Sequence, residues 1–150
     1  LKTEAVDVYT GVSLAADNLQ AVLDAAGLSV DIPEMGEMEI MADLDWTMEA
    51  LMNLFKNCAE YTPPGGTVHC ACSQNPLFTE IILWDEGKGF EKEDIPHLFE
   101  RFYRGKNAAD NGTGIGLSLS REIIERQNGT IRAVNQPGRG GTFEIRFYSH

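Results

Sequence analysis

Apolar and polar positions along the chain follow two periods, and the changes of period mark the elements. Val12, Ala15, Leu19, Val22, Leu23 and Ala26 fall on one broad helical stripe, so Val12–Ala26 predicts an amphipathic helix with Gly27 just past its end. Leu28–Ile32 reads as a short strand closed by Pro33. Met38, Ile40 and Ala42 alternate with Glu39 and Met41 and predict a second strand. Asp45 can cap a helix from Trp46 to about Tyr61, with Ala50, Leu51, Leu54, Phe55 and Cys58 on its apolar face. Pro63-Pro64-Gly65-Gly66 ends it. Val68–Ser73 and Phe78–Trp84 predict a hairpin around Gln74-Asn75-Pro76. Gly114–Gln127 predicts a helix ending at Asn128-Gly129. Thr130–Asn135 and Thr142–Tyr148 are two last strands, joined by Pro137-Gly138-Arg139-Gly140-Gly141.

The order of these elements predicts an α+β domain, a two-layer sandwich with helices on one face of a mixed, largely antiparallel sheet. Residues 87–113 are rich in glycine and charge, with a helical segment expected over Ile95–Phe102. A connection that long inside a compact domain reads as a lid or a binding loop.

At 150 residues the chain suits one domain, and 43% hydrophobic with 23% charged residues is ordinary for a globular protein. It starts at Leu1 rather than Met, so it reads as an excised fragment, with residues 1–4 as a linker remnant. The net charge of −11 argues against nucleic-acid binding, which needs cations to displace phosphate counterions. Its distribution leaves a phosphate ligand open. Leu1 to Phe55 carries 11 acids and one base, whereas Arg101 to Lys106 carries three cations and no acid. The cysteines, Cys58, Cys70 and Cys72, lack a disulfide-framework spacing and read as ordinary reduced thiols. On a strand, Cys70 and Cys72 would share a face and His69 the other.

Four constellations carry chemistry. Glu49, Asn53 and Asn57 lie on one helix face, with Glu60 and Tyr61 a turn further on. That row is either a solvated face or a source of a hard oxygen for Mg²⁺. Asp85-Glu86-Gly87-Lys88-Gly89 follows an apolar strand; it is either a turn or a carboxylate placed to accept from an amino group, with glycines that admit a ligand. Gly112-Thr113-Gly114-Ile115-Gly116-Leu117 opens a helix, where unpaired N–H groups favour phosphate. A dinucleotide fingerprint is rejected there, because the preceding residues are a polar loop and not a strand. Gly138-Arg139-Gly140-Gly141-Thr142-Phe143 by itself reads as a hairpin turn, with Thr142 starting the strand.

In this order, the four resemble the ATP-binding catalytic domain of sensor histidine kinases, in the superfamily shared with gyrase, the heat-shock chaperone ATPases and mismatch-repair proteins. N-L-F-K-N-C-A-E-Y-T-P resembles the family's N box, D-E-G-K-G-F its first glycine box, L-F-E-R-F-Y-R its F box and G-T-G-I-G-L-S-L-S its second glycine box. The F box typifies the kinases.

The resemblance implies a Bergerat-type fold, Mg²⁺ and ATP as cofactors, and a lid over about residues 87–113. It implies that Asn57 ligates Mg²⁺ with Asn53 beside it, that Tyr61 packs on the adenine and that Asp85 accepts from its amino group. Gly87 and Gly89 would make room for the base. Gly112, Gly114 and Gly116, with Thr113, Ile115 and Leu117, would bring the lid and helix start to the phosphates, and Thr142 would complete the ATP-binding set. Arg104 would meet the γ-phosphate, helped by Arg101 and Lys106. Phe99 and Phe102 would anchor the lid and touch a partner domain.

The superfamily's ATP hydrolases place a glutamate four residues before the metal-ligating asparagine. That position is Asn53, whose amide cannot act as a general base. The resemblance therefore implies phosphoryl transfer to a histidine on a separate dimerising helical hairpin, with a response regulator downstream. The parent protein would be a homodimeric, membrane-bound sensor, and this fragment its monomeric cytoplasmic domain. His69, His97 and His150 lack an acceptor's setting. Many relatives carry Lys or Arg where this chain has Glu60, so Glu60 either turns to solvent or serves another polar role. Lys56, one turn earlier, either partly compensates or is a solvated lysine.

Overall fold

The computed structural model describes residues 1–103 and 116–149. Strands β2 (Ser29–Asp31), β4 (Thr67–Gln74), β5 (Phe78–Trp84), β7 (Gly141–Tyr148) and β6 (Gly129–Asn135) form one sheet in that spatial order. β2 runs parallel to β4 and every other pairing is antiparallel. Helices α1 (Val8–Asn18), α2 (Gln20–Ala25), α3 (Leu44–Tyr61) and α4 (Gly116–Glu125) complete the sandwich, as the element order predicts. Alternation decides which side chains meet them: Val68, Cys70, Ile81, Leu83, Phe143 and Ile145 are buried in the core. A separate ribbon pairs β1 (Glu4–Asp7) with β3 (Glu39–Ala42).

The structure departs from the periodicity in four places. β1 is absent from the sequence reading, because four residues with one buried position carry no period of their own. The first helix starts at Val8, where the Asp7 carboxylate accepts the Thr10 N–H at 3.0 Å, and it breaks at Leu19. The break shifts the phase of the second piece, so Val22 is 53% exposed although the stripe places it inside. Gly27, at φ +72°, closes that piece in a left-handed turn, with Leu28 N–H donating to Leu23 O at 2.9 Å. Asp43, not Asp45, caps α3: it is the last extended residue, and its carboxylate accepts the Trp46 N–H at 3.0 Å. Ile95–Phe102 holds only one 3₁₀ turn, Ile95–His97.

α4 is tied to α3 by side chains. Ser120 Oγ donates to Ala50 O at 2.9 Å. Gln127 accepts the Asp43 N–H at 2.6 Å and donates to Thr47 Oγ1 at 3.0 Å. These buried bonds hold the middle of α4 and the residue just past its end against the cap and first half of α3.

Candidate active site

The predicted stripe of α3 is buried as expected, and that turns the row of Asn53, Asn57 and Tyr61 toward the ends of β5 and α4. Glu49, Lys56 and Glu60 are exposed. The Thr62 hydroxyl donates to Cys58 O at 2.9 Å and closes the helix before the two prolines.

At the end of β5, Asp85 is 1% exposed. Its Oδ1 accepts the N–H groups of Gly87 at 2.8 Å and Gly141 at 3.1 Å. Its carbonyl accepts the Gly140 N–H at 2.9 Å, and its own N–H donates to Gly141 O at 3.1 Å. One carboxylate oxygen is thus locked by backbone, and Oδ2 has no partner. Burial pushes the Asp85 carboxyl above its ordinary value, against the lowering effect of the Gly87 and Gly141 hydrogen bonds.

Asn57 Oδ1 is the other buried side-chain oxygen, among the described residues, that lacks a partner. A buried acceptor without a donor costs about 1–3 kcal/mol, so two of them call for an explanation. Oδ2 suits an amino group, whereas the amide oxygen of Asn57 suits Mg²⁺, which takes one or two protein oxygens plus phosphates. Asn53 is engaged differently: its amide donates to Gly116 O at 3.3 Å and joins the polar row to the start of α4.

The glycines serve close packing. A Cβ on Gly87 would lie 2.1 Å from Tyr61 O, and one on Gly89, at φ +89°, 2.6 Å from Asn135 Oδ1. The space over both is thus filled by protein. Asn135 holds the loop by accepting the Phe90 N–H and donating to Phe90 O, both at 2.8 Å. Phe90 packs edge-on to Tyr61 with ring centres 6.2 Å apart. Burial, and then the charges of Glu60, Asp94 and Asp85, push the Tyr61 phenol up, so it stays neutral. Thr142 is buried and donates to Gly140 O at 3.2 Å. Leu117 is partly buried against the core.

Beyond Phe90 the chain leaves the cleft over a short platform. Phe99 and Phe90 both pack on Phe143, at 6.2 and 5.5 Å between ring centres. The Tyr103 hydroxyl donates to buried Asp94, which pushes its pKa up to about 12. Phe102 is not an anchor: it is 65% exposed at φ +66°, with the Arg101 guanidinium 5.3 Å above its ring. Arg104, Lys106, Gly112, Thr113, Gly114 and Ile115 lie outside the described residues.

The structure adds residues that the motif reading left in a hairpin turn. Gly140 and Gly141 wrap Asp85, and a Cβ on Gly141 would lie 2.7 Å from the Phe90 ring. Only Gly138 in that turn has positive φ, at +76°. Two further glycines with no turn to make were the available signal. Buried Cys58 stands beside Asp85, which helps to raise its thiol, after burial itself. The cysteines are free thiols, and no cluster of three or more His, Cys, Asp or Glu side chains suited to a metal exists among the described residues. His69 bridges Asp31 and Glu86 on the outer sheet face, and His97 bonds Glu100.

A family model described as histidine kinase-, DNA gyrase B- and HSP90-like ATPase matches residues 42–149. The sensor-like histidine kinase SenX3 of Mycobacterium tuberculosis is 34% identical over 143 residues, covering 93% of this chain and 35% of that protein. The sensor protein SphS of Synechococcus elongatus is 30% identical over 153 aligned positions, covering 95% of this chain and 37% of that protein. The chain thus spans little more than a third of the length of these curated relatives. The solved mycobacterial sensor histidine kinase MprB superposes with a TM-score of 0.84 at 23% identity over 97% of both chains. The ATP-binding domain of PrrB from Mycobacterium tuberculosis gives 0.79 at 20% identity, over 100% of this chain and 99% of that one. At those identities the structural likeness shows the fold.

Proposed function

The chain belongs to the histidine kinase-, DNA gyrase B- and HSP90-like ATPase family, and from that membership we propose that it binds Mg·ATP and passes the γ-phosphoryl group to a histidine on a separate helical-hairpin domain. The observation that carries this reading is the pair of orphaned buried oxygens, Asp85 Oδ2 and Asn57 Oδ1. The first accepts the adenine amino group and the second reaches the metal. Tyr61, held edge-on to Phe90, offers its ring to the base. Gly116 and Leu117, at the start of α4, offer backbone N–H groups to the phosphates.

Mg²⁺ at Asn57 would spread the charge of the phosphates, and the lid cations Arg101, Arg104 and Lys106 add to that neutralisation. Transfer then needs only an in-line nucleophile. A neutral imidazole nitrogen of the acceptor attacks phosphorus, the bond to the β-phosphate oxygen breaks, and ADP leaves with the electron pair. Asn53 supports transfer over hydrolysis, because its amide is spent on Gly116 O and holds no proton-accepting group for water.

On this reading the whole protein is a dimeric sensor that carries the acceptor hairpin and signals to a response regulator. No helix among the described residues is long and apolar enough to cross a membrane. Placement on the cytoplasmic side of a membrane sensor is part of the proposal. Calorimetric titration of the chain with ATP, with and without Mg²⁺, tests the binding. Labelled γ-phosphate appearing on a supplied acceptor hairpin, with little free phosphate released, tests the transfer. No binding in the presence of Mg²⁺ sinks the reading, and rapid phosphate release without transfer makes the domain an ATPase.

A further inference from the structure

The sulfur atoms of Cys70 and Cys72 lie 3.9 Å apart. Their spacing along β4 puts both on the helix-facing side, and the ladder to β5 fixes them opposite Leu83 and Ile81. The two differ in access: Cys70 is 1% exposed, whereas Cys72 is partly exposed. Either sulfur can donate in the contact they share; that contact and burial push the Cys70 thiol up, and the same contact lowers the Cys72 thiol. Cys72 is therefore the sulfur that an oxidant reaches first, and a second thiol lies 3.9 Å from it. No step of nucleotide binding or phosphoryl transfer uses either group.

We propose that Cys70 and Cys72 form a peroxide-responsive dithiol, a reversible modification site built into β4. The Cys72 thiolate attacks one oxygen of a hydroperoxide and the O–O bond breaks. The second oxygen leaves with the electron pair and takes a proton, as water or an alcohol, while Cys72 is oxidised by two electrons to the sulfenic acid. The Cys70 sulfur then gives up its proton and attacks the Cys72 sulfur. Hydroxide leaves, takes that proton as water, and an S–S bond joins the pair.

Strand geometry makes the bond reversible. Residues two apart on a strand are separated by about 6.6–6.8 Å. That is the far end of the roughly 4.4–6.8 Å found between disulfide-linked α-carbons, and the two Cβ atoms, parallel on one face, must close to about 3.5–4.5 Å, so β4 has to bend locally to make the bond. A bond formed there is strained and readily reduced, as in labile rather than structural disulfides. Cys58, fully buried with its thiol pushed up, is an internal control that should not react.

The test treats the folded chain with a small excess of hydrogen peroxide, alkylates it in denaturant with N-ethylmaleimide and cleaves after glutamate. Cleavage at Glu60 and Glu80 separates Cys58 from a peptide of residues 61–80 that holds the pair. That peptide should lose the mass of two hydrogens and take no alkyl group, Cys58 should stay alkylated, and dithiothreitol should restore both sites. In Cys70→Ser, Cys72 should instead carry a sulfenic acid that dimedone captures. In Cys72→Ser, Cys70 should stay alkylatable after the same exposure, which keeps the test open if the first variant does not fold. Full alkylation of the wild-type pair overturns the proposal. So does Cys72 passing to sulfinic acid with Cys70 intact, or a disulfide found only between chains.

Discussion

Gly140 packs against Asp85 so closely that a Cβ on the glycine would lie 1.9 Å from Oδ1. The same glycine gives its N–H to the Asp85 carbonyl, so the turn before β7 and the end of β5 hold the carboxylate from two sides. Gly140→Ala must push one of them away. Overpacking of this kind typically costs about 1–3 kcal/mol. The expected outcome is a lower thermal midpoint and loss of ATP binding together, read by calorimetry on one preparation. Unchanged ATP affinity in a folded variant would show that Asp85 is not the base-binding group.

Asp85→Asn separates recognition from packing. The amide oxygen can still accept from Gly87 and Gly141, but an NH₂ then stands where Oδ2 faces the cleft, a donor against the adenine amino donor. ATP affinity should fall by roughly tenfold to a hundredfold, as expected for a lost hydrogen bond to a charged group. GTP, whose carbonyl accepts at the same place, should lose less. Parallel titrations with the two nucleotides read the ratio.

The pH dependence of stability has opposite signs at two aspartates. Burial raises Asp85 above 3.8, so the folded chain holds that proton more tightly than the unfolded one. Its contribution to stability is full below pH 3.8 and is lost as pH rises through the folded value. Asp43 is lowered, first by the Trp46 N–H and then by the Lys2 N–H. Its contribution is present above 3.8 and is lost as pH falls through the folded value. Urea midpoints of wild type and Asp85→Asn should therefore diverge to the wild type's disadvantage as pH rises, then level off. Asp43→Asn should differ from wild type most at neutral pH. Parallel profiles would remove the assignment.

Asn57→Ala removes a buried oxygen that has no partner, so stability should hold or rise slightly. Nucleotide binding should lose its dependence on Mg²⁺ and weaken by about tenfold or more, the loss of one metal ligand contact. A thermal melt and titrations at two Mg²⁺ concentrations check both halves. Loss of stability equal to the loss of binding would make Asn57 a packing residue.

Much of the site was legible because its chemistry is local. Asn53, Asn57 and Tyr61 share a helix face by spacing alone, and the buried stripe beside them leaves all three half-buried, which the spacing by itself leaves open. Asp85 stood out as a carboxylate ending an apolar strand, ahead of two glycines. The features that escaped depend on partners far along the chain. Local spacing favours Asp45 as the cap of α3, whereas what surrounds Asp43 is the Lys2 N–H and Gln127, 41 and 84 residues away. Gly140 and Gly141 looked like turn glycines until β7 placed them against Asp85, 56 residues back from Gly141.

The amino-acid order alone determined most of the element types and the α+β sandwich, because 2- and 3.6-residue periods are properties of short segments. Only the tertiary structure decided which oxygens are spent and which remain. Asp85 Oδ1 is consumed by two backbone N–H groups while Oδ2 is left, and Asn53 is tied to Gly116 while Asn57 is not. Those choices follow from how α3, α4 and two strand ends close on one another. Burial turns an unmade hydrogen bond into a cost, and packing between distant segments sets which groups are buried.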